Sequence, residues 1–411
     1  MVQHKKNILF LQPSYDVDLP RNIRTNNIVS FLAKQFDITI QCFNIGKHRL
    51  PKGEVRFIRS EFSFLGKYVF NKSASGTTLK GVGRFVSSAI NLIFNRFLFP
   101  DSYVLEHSRV IKKISQELPD IDVIIASIVP FSNITLAYKL RKKLYQKSKI
   151  ILDIGDPLTN NPTHNSTFLK RVSTYIPFLN YLKSRFERKY LPQADMIIVT
   201  NELTRKYYMD RYALDSGQIT VIPQGVDINT FQEIKEPEID NLHMIYAGAF
   251  YTGFRDPGIF FKALDEIDDP AILVRLVGVG SSYERDITSS GIEILDRMTQ
   301  DQLAVEYAKA NCLLFYDNPP GLQTSGKIYE LMALKKPILF IYHSAKSPVY
   351  QWAKAYPNVV FCENEVDSII EGIIKIKLLI HQRFNYNVDH FSWQKRSADF
   401  EKLIYGLSVL E

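Results

Sequence analysis

The chain has 411 residues, 45% of them hydrophobic and 23% charged, with 51 Lys and Arg against 43 Asp and Glu for a formal net charge of +8. That length exceeds one ordinary core and suits two domains. No apolar run reaches the roughly 18 residues of a bilayer-spanning helix, which excludes a helical integral membrane protein and predicts a soluble one.

The charge is shared unevenly: residues 1–200 hold 30 Lys and Arg against 14 Asp and Glu, residues 201–411 hold 21 against 29. A basic half beside an acidic half predicts that the first half meets something anionic, such as membrane headgroups, a phosphate-bearing lipid or nucleic acid; a generally cationic surface is the plainer reading. No helix-turn-helix, zinc-finger or RNP pattern is present, which argues against nucleic acid.

The N-terminal MVQHKKNILFLQPSY places basic residues before only about five apolar ones, short of the roughly 7 to 15 of a secretory core, so Asn7 to Leu11 reads as a first strand. RTNNIVSFLAKQF follows with helical spacing, then the strand-like ITIQCF. The alternation continues through DVIIAS, a helix over Ile134 to Leu144, KIILDI (149 to 154), a basic helix before Leu191, and MIIVT. This rhythm predicts a doubly wound parallel sheet. QEIKEPEIDN (232 to 241) reads as a polar connection, and MIYAG, AILVRLVG, IEIL, CLLFY, PILFI and NVVFC as the strands of a second such sheet. HFSWQKRSADFEKLIYGL reads as a terminal helix entered from a Ser or Asp cap near residue 390. The predicted domains are 1–220 and 221–387, with 388–411 returning to the first. Cys42, Cys312 and Cys362, an odd and widely spaced set inside strand-like runs, are poor material for a disulfide framework and fit a reducing cytoplasm.

Ligands of open α/β sheets bind outside the C-terminal strand ends, so the loops there carry the candidate chemistry. In GLQTSGKIYELMALKKPIL (321 to 339), Thr324 or Ser325 is the natural helix cap, and Gly326 lets backbone N–H groups approach an anion. Lys327 adds a point charge for phosphate. Glu330 serves neither possible capping box and is left for ribose hydroxyls; a solvated Lys327–Glu330 ion pair is the plainer alternative. In IYAGAFYTGFRDPGIFFKAL (245 to 264), Gly248 and Gly253 lie in a loop, Asp256-Pro257 opens a helix, and Arg255 just before it can clamp a pyrophosphate. Gly278, in LVGVG, is a nucleotide contact or a tight βα turn. The eight histidines and Asp16-Val17-Asp18 show no metal-ligand spacing, so no metal is expected.

VIPQGVDINTF, MIYAGAFYTGFRDP, LVGVG, SGKIYELMALKKPIL and a late FSW, in that order, resemble glycosyltransferase family 4, and IIASIVPFSNITLAYKLRKK with ILDIGDPLTNN resembles the branch with a D-x-R-D-P-W stretch. The resemblance implies a GT-B fold, two doubly wound Rossmann-like domains facing a central cleft. It also implies retaining, metal-independent transfer of a sugar from a nucleotide donor, UDP- or GDP-linked, held by the second domain, to a saccharide or lipid-linked saccharide held by the first. Arg255 and Lys327 would then neutralise the leaving diphosphate and Glu330 would hold the ribose, with Gly253, Thr324, Ser325, Gly326 and Gly278 around the nucleotide. Asp156 becomes a candidate for the acceptor or transferred sugar, or a turn cap; Asp153 and Arg24 are acceptor candidates, Arg24 alternatively a surface residue. Three departures stand out: Leu322 replaces a glutamate near the sugar, Ala249 replaces an arginine after the strand, and Gly155 and Leu158 replace the arginine and tryptophan of the branch motif.

TLKGVGRFVSSAINLIFNRFLFPDSY (78 to 103) mixes Lys80, Arg84 and Arg96 with aromatic and aliphatic residues. It suits either peripheral docking on an anionic cytoplasmic membrane face or a core helix with a solvated side. A catalytically silent nucleotide-sugar binder and a sugar-nucleotide epimerase on the same fold are the alternatives.

Overall fold

The computed structural model describes residues 5–15, 20–45, 55–63, 99–159, 175–232, 241–250, 255–279, 291–318, 322 and 324–407. Residues 78–98 of the basic stretch, Asp16 to Asp18, most of the 232–241 connection, Gly253 and Gln323 lie outside them. The chain divides into two units, one of residues Met1–Ile222 with Ser397–Glu411, the other of Pro223–Arg396.

The first unit has seven short strands, the central ones apolar at nearly every position and buried on both faces, the signature of parallel strands covered on each side by helices. They are β1 (Asn7–Leu11), β2 (Asp37–Cys42), β3 (Val55–Arg59), β4 (Val123–Ile128), β5 (Lys149–Ile154), β6 (Met196–Val199) and β7 (Ile219–Val221), paired in parallel in the order β3-β2-β1-β4-β5-β6-β7. Alternation sorts the side chains. Ile8 and Phe10 face a core shared with Ile28, Val29 and Leu32 of α1 (Pro20–Leu32), whereas Leu9 and Leu11 face one built on Val110 and Ile114 of α2 (His107–Glu117) and Ile134, Leu136, Ala137 and Leu140 of α3 (Ser132–Lys143). The helix predicted to begin near Arg24 starts four residues earlier at Pro20, where proline's fixed φ suits a first turn. Helices α4 (Tyr175–Tyr190) and α5 (Glu202–Tyr212) complete the βα alternation, and Asn201 caps α5 by accepting from Thr204 N at 2.8 Å.

The second unit repeats the plan with β8 (Leu242–Ala247), β9 (Ile272–Val277), β10 (Ile292–Leu295), β11 (Cys312–Tyr316), β12 (Ile338–Tyr342) and β13 (Val359–Glu363), all parallel, in the order β10-β9-β8-β11-β12-β13. One face packs against Phe260, Phe261 and Leu264 of α6 (Gly258–Ile267) and Ile369, Ile373 and Ile376 of α10 (Val366–Lys377). The other packs against Tyr307 of α7 (Gln300–Ala308), Ile328, Leu331 and Met332 of α8 (Lys327–Ala333), and Val349 and Ala353 of α9 (Pro348–Ala353). Buried Lys336 donates to the carbonyls of Tyr307, Ala308 and Ala310 at 2.9, 3.2 and 2.6 Å, neutralising the negative end of α7.

The last helix, α11 (Trp393–Gly406), begins after Ser392, whose Oγ accepts from Lys395 N at 3.1 Å. Its fully buried Phe400 and Ile404 join the α1 core of the first unit; each such side chain contributes about 1.5–3 kcal/mol of burial. All three cysteines are free and buried. No helix among the described residues is long and apolar enough to cross a membrane.

Candidate functional site

In each sheet the strand order reverses once, between β1 and β4 in the first unit and between β8 and β11 in the second. Such a switch point opens a crevice at the C-terminal strand ends.

At the switch point of the second unit, the segment after β8 and the segment after β11 are tied together. Arg255 Nε and Nη2 both donate to Asn318 Oδ1, at 2.9 and 2.7 Å. Asp317, 2% exposed, in turn accepts the Asn318 N–H at 2.9 Å. Burial pushes the Asp317 carboxyl up to about 6, against the opposing pull of Ser347, the Asn318 N–H and the Arg255 charge. Asp256 Oδ1 accepts from Gly258 N at 3.0 Å, and α6 begins at Gly258, so Pro257 occupies the cap position, one residue before the expected first turn. Gly278 leaves β9 at φ +73°, a left-handed conformation that disfavours side chains, and its N–H donates to Leu295 O at 2.9 Å, so a tight turn is what the backbone makes there.

The β11–α8 connection corrects one expectation. Neither Thr324 nor Ser325 caps α8: the cap is Gly326, in right-handed backbone geometry and without a side-chain cap bond. Gly326 packs closely on Gln224: a Cβ there would stand 3.0 Å from Gln224 Cγ. Glu330 makes the ion pair that was the plainer alternative. Lys327 Nζ donates to Glu330 Oε1 and Oε2 at 3.1 and 3.0 Å, with the two side chains 30% and 12% exposed. Because Ile328, Leu331 and Met332 turn inward, the 3.6-residue period puts Lys327 and Glu330 together on the outer side. Lys327 Nζ lies 5.9 Å from the ring centroid of fully buried Tyr307, whose phenol is pushed well above its usual range by burial first and by Glu330 second.

The corresponding end of the first unit holds a different arrangement. Arg24, 1% exposed, places Nε and Nη2 each 3.1 Å from an oxygen of Asp153, donates to Ile222 O at 3.0 Å, and lies 5.4 Å from the Phe400 ring. Arg21 Nη2 is 2.9 Å from Asp153 Oδ2, also donates to the Asp153 carbonyl, and Nε reaches Ser127 Oγ at 2.7 Å. Burial works to raise the Asp153 carboxyl, but the two guanidiniums outweigh it and hold it below the ordinary carboxylate value. Arg24 and Asp153 are therefore not presented to an acceptor, and Arg24 is not a surface residue; they neutralise each other in the interior. Asp156, three residues on, is half-buried, and burial raises its carboxyl while Arg21 opposes.

The loop carrying Asp156 is held from behind. Buried Glu187, on α4, accepts from Leu158 N at 3.0 Å, Thr159 Oγ1 at 2.5 Å, Tyr208 OH at 2.9 Å and Tyr212 OH at 2.6 Å. Arg21, Glu187, Asp317 and Asn318 escaped the sequence reading. The only signal for Asn318 was its place after a strand in the turn-rich DNPPG, and Arg21 stands one helical turn before Arg24.

Residues 74–230 match the family described as Glycosyltransferase Family 4. That segment is similar to family 4, and the fold is GT-B. Sucrose-phosphate synthase from Thermosynechococcus elongatus is similar in structure at a TM-score of 0.66 and 13% identity, covering 99% of this chain and 100% of that one. Anabaena HepE in complex with UDP and glucose is similar at 0.60 and 13%, covering 98% and 100%. WaaG, a glycosyltransferase involved in lipopolysaccharide biosynthesis, is similar at 0.53 and 11%, covering 96% and 95%. No curated protein sequence matches the chain.

Proposed function

We propose that the protein is a retaining, metal-independent glycosyltransferase that moves a sugar from a nucleotide donor to a saccharide or lipid-linked saccharide, in the synthesis of a surface polysaccharide or glycolipid. The observation that carries the reading is the Arg255–Asn318 tie across the switch point of the second unit, with Lys327 opening the helix that follows the same strand as Asn318. As the bond between the sugar's anomeric carbon and the diphosphate oxygen breaks, its electron pair stays on the diphosphate. Fixed cations stabilise that charge more in the transition state than in the ground state. Arg255 and Lys327 supply them here, taking the part a divalent metal plays elsewhere.

Glu330 holds the ribose hydroxyls once phosphate draws Lys327 away from it. Gly326, Ser325, Thr324 and Gly278 bring backbone close to the nucleotide, and Gly253 lies in the same βα segment as Arg255. UDP is favoured as the carrier because HepE, of the same fold, binds UDP and glucose; WaaG's role supports a lipid-linked glycan as acceptor. Asp156 is the group of the first unit that meets acceptor or transferred sugar. The excess of 30 Lys and Arg over 14 Asp and Glu in residues 1–200, with Arg141, Lys142 and Lys143 closing α3, supports peripheral docking at the cytoplasmic membrane face.

Calorimetry against UDP, GDP and ADP tests the donor site directly. UDP binding that survives EDTA is expected, with Glu330→Ala weakening it about tenfold, as for loss of one charge-assisted hydrogen bond. No binding of any nucleoside diphosphate overturns the reading. Product analysis with UDP-sugars then separates transfer or slow hydrolysis from epimerisation and from silent binding.

A further inference from the structure

From Ile151 to Thr159 every residue is buried except Gly155 and Asp156. The tip that carries the Asp156 carboxylate therefore stands between interior anchors. On the near side Arg21 and Arg24 grip Asp153, and Thr200 Oγ1 donates to Gly155 O at 3.1 Å. On the far side Glu187 Oε1 accepts from Leu158 N at 3.0 Å, and its Oε2 accepts from Thr159 Oγ1 at 2.5 Å. Pro157, between Asp156 and these ties, has a ring-fixed φ.

Glu187 is 1% exposed, and a carboxylate so buried is costly unless its lone pairs are filled. Tyr208 and Tyr212, one turn apart on α5, fill them, donating to Oε1 at 2.9 Å and to Oε2 at 2.6 Å. Tyr207 OH lies 3.0 Å from Thr159 Oγ1 and joins the cluster. The Glu187 charge also draws Lys183, one turn earlier on α4, upward against the larger effect of burial. Apolar side chains of the same shape could fill this space at little or no loss of stability. What they could not do is hold the Leu158 N–H, and with it the place of Asp156.

We propose that Glu187 is a positioning residue of the transfer reaction, fixing through Leu158 and Thr159 the point at which the Asp156 carboxylate meets the reacting sugar. The proposal rests on the reading of Asp156 given above and adds to it a buried group that touches no substrate.

The two oxygens of Glu187 differ in what can replace them. The Thr159 and Tyr212 hydroxyls at Oε2 can rotate and accept from an amide, whereas the Leu158 N–H at Oε1 can only donate. Glu187→Gln therefore keeps the backbone tie, and Glu187→Ala removes it.

The test uses the full chain and whichever of UDP-glucose, UDP-galactose and UDP-N-acetylglucosamine the wild type hydrolyses fastest, with calorimetry for UDP affinity and thermal unfolding to show that each variant is folded. Glu187→Ala is expected to lower kcat about ten- to a hundredfold, as a misplaced group does, with UDP affinity unchanged. Glu187→Gln is expected to restore most of that loss. Asp156→Ala is expected to be slowed at least as much as Glu187→Ala, and combining the two should slow it no further, because the group being positioned is already gone. Should Glu187→Ala fail to fold, Thr159→Val removes one tie alone, and its severalfold loss should likewise vanish in Asp156→Ala. A Glu187 that serves only the fold predicts a lowered melting temperature with wild-type kcat in the folded protein, or losses that multiply in the double variant; either result overturns the proposal. If Asp156→Ala itself keeps the wild-type kcat, or the wild type hydrolyses none of the three donors, the Asp156 or the enzyme reading falls and takes the proposal with it, each a separate and recognisable result.

Discussion

The C-terminal strand ends of the two units both carry arginine, yet they use its charge in opposite ways. In the first unit Arg21 and Arg24 close on one carboxylate, Asp153, and Arg24 and Asp153 are 1% and 4% exposed. In the second, Arg255 closes on the amide of Asn318. A paired interior cation is a structural brace, expensive to break because its partner is left charged and dry. The Arg255 charge also acts on the buried Asp317 carboxyl, drawing its pKa down against the effect of burial. The comparison separates guanidiniums closed on a carboxylate from one closed on an amide, each near the C-terminal strand ends of its sheet.

The largest effect that sharpens this contrast is on stability. Asp153→Asn leaves two guanidiniums without their counter-charge and is expected to lower unfolding free energy by about 3–5 kcal/mol, read from urea midpoints. A loss under about 1 kcal/mol would break the comparison by showing that the pair is solvated.

Next comes Asp317. Its folded carboxyl is pushed up to about 6, above the ordinary 3.8. Between these values the folded state holds more protons than the unfolded state, so wild-type stability falls as pH rises through that window, and the cost is complete above it. Asp317→Asn removes the titration. Its stability advantage over the wild type is expected to grow from pH 4 to pH 6 and stay level beyond, to at most about 3 kcal/mol. His107 in the first unit runs the other way. Burial, and then Lys139, push its imidazole down to about 4, so it adds stability as pH rises from there toward 6.5. The difference between variant and wild type isolates Asp317 from it; a flat difference curve would show that the carboxyl is not desolvated.

Lys327→Ala is expected to leave the melting temperature nearly unchanged, since a part-exposed ion pair contributes about 0–1 kcal/mol. Turnover of the nucleotide sugar should fall about 10²-fold through lost leaving-group stabilisation. Unchanged turnover would make the Lys327–Glu330 pair a surface ornament of α8.

Much of the fold was readable one residue at a time. KIILDI was read as a strand over 149 to 154 and forms one with those bounds, because six apolar-rich residues between polar breaks have few other uses. The terminal helix with its Ser392 start was likewise visible as local cap chemistry. The cap of α8 was not: two good capping residues precede Gly326, yet Gly326 takes the cap position, beside Gln224 from a hundred residues earlier. Arg24 was read as surface or acceptor-facing from its place on the helix after the first strand. Its partner Asp153 lies 129 residues away.

By itself the sequence determined the alternating strands and helices, the two-sheet plan, and the chemical types of group that lie after β8 and β11, because hydrophobic period and turn residues act over a few positions. Only the tertiary structure decided which charges survive. Whether an arginine meets a carboxylate or an amide depends on side chains delivered by separate strands, and burial sets the cost of each choice. That pairing makes a brace of Arg24 on Asp153 and ties Arg255 to the amide of Asn318.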